Sequence, residues 1–309
     1  MSTPNVTGLT VVPAYRVVAH LVKQARKLSE ANAPSAGPGQ ALDSLEQKVR
    51  QYVRSALSSL HGAYSEIGER WAVAQLGDPA LDTLAEALEV ADKAAPKRTV
   101  AEALRRCTQL LPQPDLSARF LLFPGDGESR LLTQAMNGVT GVTLGDQATL
   151  LFFWPVGEWL SWLAYTAAHE YTHLVRNHLF PRGFAGGRIV YLKTQKAETL
   201  LDAMVAEGMA DVVAQQVYPQ MEPRWVRPLE DETRIWPRVR RRLRVTDPNE
   251  IRRFIFGDGD RVPQWTGYSL GCCIVRSYLQ RRPFDCAADL VGMEAEAIFR
   301  ESGYDGEEL

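Results

Sequence analysis

Apolar residues recur at helical spacing through most of the first 115 positions. Leu42, Leu45, Val49, Val53, Ala56, Leu57 and Leu60 form one such stripe, which predicts a long helix over about 41–74 with its apolar side against a core or a partner helix. The same periodicity predicts helices over about 14–32, 79–93 and 99–111. Their limits carry physical signals: Pro and Gly crowd residues 33–39, Asp78-Pro79 sets a cap before a first-turn proline, and Thr99 with Glu102 fits a capping box.

The period then changes. Arg119-Phe120-Leu121-Leu122-Phe123 reads as a strand that breaks at Pro124-Gly125-Asp126-Gly127, and strand-like sequence resumes over 139–144 and 149–153. Residues 137–144 are the candidate edge of this small sheet, which is expected to span 116–155. From Glu158 onward apolar residues run without Gly or Pro as far as Leu179-Phe180, and Pro181-Arg182-Gly183 ends the element, so a buried helix is predicted over 157–180. A second strong helical pattern, 196–217, buries Leu200, Leu201, Met204, Val205, Val212 and Val213. Beyond it, 219–237 is rich in loop residues. A capped helix is expected from about Asn249, a turn through Asp258-Gly259-Asp260, a helix from about Tyr268 and a last one over 286–301. The fold class is therefore α+β: a helical region over 1–115, then an α+β domain over 116–309 whose C-terminal helices occupy 249–305.

Within the predicted buried helix stands His169-Glu170-Tyr171-Thr172-His173. At about 100° per residue the two histidines of H-E-x-x-H lie about 40° apart on one face, so both imidazoles can reach a single ion. Two histidines and a glutamate are costly inside an apolar helix unless a metal or other partners satisfy them. Zinc lowers the pKa of a water to about 7, and the Glu170 carboxylate beside it can take its proton. His178 points to roughly the opposite face and is excluded from the set.

Catalytic zinc sites usually have three protein ligands. Apart from His178, the remaining histidines, His20 and His61, lie far upstream in unremarkable helical sequence, whereas Glu207 lies on the next strong helix. Glu207 is the expected third ligand, with an ordinary solvated glutamate as the alternative. Gly208 beside it lowers helix propensity by about 1 kcal/mol and suggests close approach of another backbone. Asp211, one turn on, suits a carboxylate that accepts the free ring N–H of a ligand histidine.

The motif followed by Glu207-Gly208-Met209-Ala210-Asp211 resembles the gluzincins, in which H-E-x-x-H precedes a helix carrying E-x-x-x-D. Adding Trp265-Thr266-Gly267-Tyr268-Ser269-Leu270-Gly271 and Ile274-Val275-Arg276-Ser277-Tyr278-Leu279, residues 115–305 are similar to the bacterial YjaZ-like predicted Zn-dependent proteases. The resemblance implies a zincin-like (thermolysin-like) core and a metallopeptidase with one Zn²⁺ per chain, held by His169, His173 and Glu207. The chain departs from the pattern at Cys272-Cys273, where an aromatic is expected after the second glycine. Tyr268 is a candidate donor to the oxyanion that forms as water adds to a carbonyl. Arg276 could pair with Asp211, another carboxylate or a substrate terminus.

Composition narrows the classes. A hydrophobic fraction of 45% over 309 residues is ample for a packed core, and a net charge of −2 offers no general field for nucleic acid or an anionic membrane. The run Arg238, Arg240, Arg241, Arg242 and Arg244 reads as a solvated or acid-paired face. No apolar run is long enough to span a membrane, and the N-terminus lacks a basic region followed by a secretory apolar core. A cytoplasmic protein with reduced cysteines, Cys107, Cys272, Cys273 and Cys286, is expected. The expected partner is a peptide or protein substrate hydrolysed by metal-activated water. The alternatives are a zinc hydrolase of a non-peptide amide or ester, and a non-catalytic metal-binding sensor or scaffold, against which the retained Glu170 speaks.

Overall fold

The computed structural model describes residues 8–31, 38–60, 62–77, 80–282 and 287–304. The first seven residues, the 32–37 part of the predicted loop, the Leu42 side chain, His61, the Asp78-Pro79 cap and Cys286 lie outside the described residues. The fold is α+β, mostly helical with a small mixed sheet. The chain forms two compact units, and the division falls within two helices, α5 (Pro96–Leu110) and α6 (Trp159–Leu179).

One unit, Met1–Arg106 with Pro114–Glu170, holds the four-stranded sheet. Strands β1 (Leu9–Val12), β2 (Ala118–Pro124), β3 (Val139–Leu144) and β4 (Ala148–Phe153) lie in the order β1-β2-β4-β3. β1, β2 and β4 are parallel, and β3 is an antiparallel edge. β1 falls inside the stretch read as helical. Its signal, Thr10-Val11-Val12, is short and is cut off by Pro13, but Leu9 pairs with Ala118. Parallel neighbours need a crossover, supplied here by α1 (Ala14–Ala31), α2 (Pro38–Ala56), α3 (Gly62–Leu76), α4 (Leu81–Ala94) and α5. All six residues of β4 are buried, Tyr15 meets Phe153 edge-on at 5.6 Å, and Trp159 stacks on Phe153 at 5.1 Å.

The pattern over 41–74 resolves into two helices, α2 and α3, with a turn after Ala56. Leu57 and Leu60 remain buried across the turn, so the stripe continues although the helix does not. Ser58, Ser59 and Gly62 are weak helix formers and place the break. The Thr99–Glu102 capping box is not formed. α5 starts at Pro96, a proline in the first helical turn, which puts Thr99 inside the helix, and Glu102 accepts from Arg105 and Arg106 instead.

The second unit is Cys107–Gln113 with Tyr171–Leu309. A hairpin, β5 (Arg182–Ala185) and β6 (Arg188–Tyr191), turns at Gly186-Gly187, both at positive φ, as a two-residue hairpin turn favours. α7 (Leu200–Val217) begins after a capping box in which the Thr199 side chain accepts from Asp202 N and Asp202 accepts from Thr199 N. The loop-rich stretch 219–237 contains a 3-10 turn at Arg224–Val226 and most of α8 (Glu232–Arg240). α9 (Pro248–Phe256) is capped by Asp247, and α10 (Thr266–Arg281) follows. The last predicted helix is two, α11 (Ala287–Val291) and α12 (Ala295–Ser302), parted at Gly292. Arg176, almost fully buried on α6, donates to the carbonyls of Val291 and Met293 at 3.1 and 2.9 Å, and burial pushes its guanidinium below its ordinary value. In the basic run, Arg242 and Arg244 approach Glu250 and Glu296, while Arg238 and Arg241 donate to carbonyls.

α7 and α10 cross with their backbones in contact. A Cβ on Gly208 would lie 2.3 Å from the carbonyl of Gly271, and one on Gly271 would lie 2.0 Å from the carbonyl oxygen of Met204. Cys272 packs beside this crossing with its Sγ 3.8 Å from the Gly208 carbonyl oxygen. Burial pushes the Cys107 thiol up to about 12 and raises that of Cys272, as suits packing residues. No described helix is long and apolar enough to cross a membrane.

Gly208→Ala and Gly271→Ala should each lower unfolding stability by about 1–3 kcal/mol or more, because backbone atoms must give way. Gly292→Ala, whose added Cβ meets only ordinary contacts at 3.5 Å and beyond, should leave it within about 0.5 kcal/mol in urea unfolding. Equal effects in all three variants would refute the crossing.

Candidate metal centre

α6 places the H-E-x-x-H residues. Every residue over 163–172 is buried, so the helix is a core helix on nearly all sides, as its unbroken apolar sequence predicts. Tyr171 anchors it by donating from its hydroxyl to the Leu111 carbonyl at 2.8 Å. His169 is buried and His173 half-buried, one turn apart. His173 Nε2 lies 3.4 Å from Glu207 Oε2 on α7, and one ligand atom each from His169, His173 and Glu207 lie within 4.8 Å of one another. Among the described residues this is the group of three His, Cys, Asp or Glu side chains with metal-holding geometry.

The donor set fits zinc. Two imidazoles and a carboxylate are zinc ligands, and N and O ligands at about 2.0–2.2 Å in a tetrahedron stand about 3.4 Å apart. The His173–Glu207 separation has that length. His178 is not in the group.

Glu170 is buried and turned toward the edge strand. Thr143 on β3 donates from Oγ1 to Glu170 Oε2 at 2.6 Å, and its Oγ1 also lies 3.2 Å from the Glu170 main-chain oxygen and 3.1 Å from Thr149 Oγ1 on β4. Gly141, two residues earlier, makes room: a Cβ there would stand 2.7 Å from Glu170 Oε1. Neither Thr143 nor Gly141 was singled out from sequence, although an isolated glycine in a strand is a recognised sign of close approach.

Asp211 is fully buried, and its Oδ1 accepts from the indole N–H of Trp225 at 3.0 Å, a partner that sequence reasoning missed. Tyr268 packs by its ring, edge-on to Trp265 at 5.6 Å and against Phe256 at 5.9 Å. Arg276 donates to Gln215 on α7 at 2.7 Å.

Residues 97–300 match the model of the family described as "Predicted Zn-dependent protease (DUF2268)". The chain belongs to this family. The match to the predicted Zn-dependent proteases takes in both histidines of the motif, Glu170, Glu207 and the α10 segment. Comparison with curated proteins and with solved structures gives no match.

Proposed function

We propose that the protein is a zinc-dependent metallopeptidase with a zincin-like core, hydrolysing peptide bonds with one Zn²⁺ per chain. The observation that carries this reading is the convergence of His169, His173 and Glu207 donor atoms within 4.8 Å, in a segment whose intervening Glu170 is held elsewhere by Thr143. His169, His173 and Glu207 would hold the ion. Bound zinc supplies Lewis acidity, polarising a carbonyl and bringing the pKa of water to about 7.

The chain's own residues do the rest. Glu170 takes the proton of the attacking water and returns it to the leaving amine. Asp211, one turn beyond Glu207 on α7, orients a ligand histidine by accepting its free ring N–H, and Tyr268 donates to the developing oxyanion. β3, an edge strand among the described residues, offers an extended peptide backbone hydrogen bonds independent of its side chains. A purely structural metal site needs ligands but no carboxylate kept off the ion, which supports an enzyme over a sensor.

The purified protein should contain about one zinc per chain. Glu207→Ala should lose most of it and His178→Ala none, by metal analysis; equal loss in both would make the ligand set wrong. Glu170→Gln should keep zinc and thermal stability yet cleave a peptide library about 10²–10⁴-fold more slowly, and near-parental cleavage would rule out this general base. Tyr268→Phe should keep zinc and lower kcat by about 10²-fold or more. An unchanged kcat would leave the ring with a packing role alone.

A further inference from the structure

We infer that Thr143 is the positioning residue of Glu170, pinning one carboxylate oxygen so that the other is presented for proton transfer; this rests on Glu170 being the base of the proposed peptidase. Side chains alternate along a strand, so positions 141 and 143 of β3 share a face. Both meet the Glu170 side chain. At position 143 the hydroxyl donates to Oε2 at 2.6 Å, within the range of about 2.5–2.7 Å for a hydroxyl on a carboxylate. At position 141 the absence of a side chain lets Oε1 lie where a Cβ would be only 2.7 Å away. The two oxygens therefore have different neighbours on β3, Oε2 held by the Thr143 hydroxyl and Oε1 lying beside the Gly141 backbone.

A second hydroxyl orients the first. Thr143 has one proton to give, and when that proton is on the bond to Glu170, the 3.1 Å contact to Thr149 is satisfied by Thr149 donating into Thr143. Thr149 is fully buried on β4, so with Thr143 donating to Glu170 the two hydroxyls form a short chain directed at the carboxylate.

The test compares Thr143→Val, which keeps the branched shape without the hydroxyl, with Thr143→Ser, which keeps the hydroxyl. On a peptide that the parent cleaves, Thr143→Val should lower kcat by about 10–100-fold at near-parental KM and zinc content, and Thr143→Ser should recover most of the loss. Thr143→Ala serves the same comparison if the valine is poorly accommodated. A readout without turnover is a double-mutant cycle of Thr143→Val and Glu170→Ala in urea unfolding of the full chain. The midpoint shift caused by Thr143→Val should shrink when Glu170 is already Ala. Parental kcat in Thr143→Val, or additive midpoints, overturns the inference. A parent that holds zinc and cleaves no peptide instead overturns the peptidase reading and the proton-transfer role with it, while the cycle still decides whether the hydroxyl holds the carboxylate.

Discussion

The burial of ionisable groups in the middle of α6 is the constraint on which the rest of the site depends. A helix enclosed on nearly all sides leaves His169 and Glu170 little exposure to solvent, and an uncompensated charge there would cost several kcal/mol. Each carboxylate or imidazole must therefore find a fixed partner, and the neighbouring elements supply them. β3 gives Glu170 a hydroxyl and a space, and α7 brings Glu207 to His173. The same low-polarity surroundings that make these groups expensive also strengthen any interaction between them and a bound ion.

The depth at which α7 sits is set by its crossing with α10. Two glycines, Gly208 and Gly271, remove the side chains that would hold the helix axes apart. Because Gly208 directly follows Glu207, the crossing fixes the backbone at the residue that must meet His173. Trp225 braces the next turn through Asp211, whose carboxylate is fully enclosed. Packing without side chains at one position thus sets the placement of a functional side chain at its neighbour.

Much of this was legible from the chain because it depends on local sequence. The unbroken apolar run around His169 announced a core helix, and Gly208 announced a close backbone. The strands over 119–123, 139–144 and 149–153 appear as β2, β3 and β4 within a residue or so. What escaped depends on residues far apart in the chain. β1 is four residues long and becomes a strand through its pairing with β2. Thr143 is an ordinary β-branched strand residue until Glu170 is placed against it, and nothing near Asp211 in sequence points to Trp225. The break between α2 and α3 was hidden because the buried stripe runs on through Leu57 and Leu60.

β1 is also made long before its partner. Leu9 stands opposite Ala118, so the Leu9–Val12 segment is synthesised before all of α1–α5 and becomes a strand only when β2 emerges to pair with it. β2 is apolar and buried along nearly its whole length, the kind of segment that pairs with other chains when its edge is bare. The order of elements along the chain therefore makes the segment that covers one edge of β2 before β2 itself, and the pairing that closes that edge is non-local and slow to form.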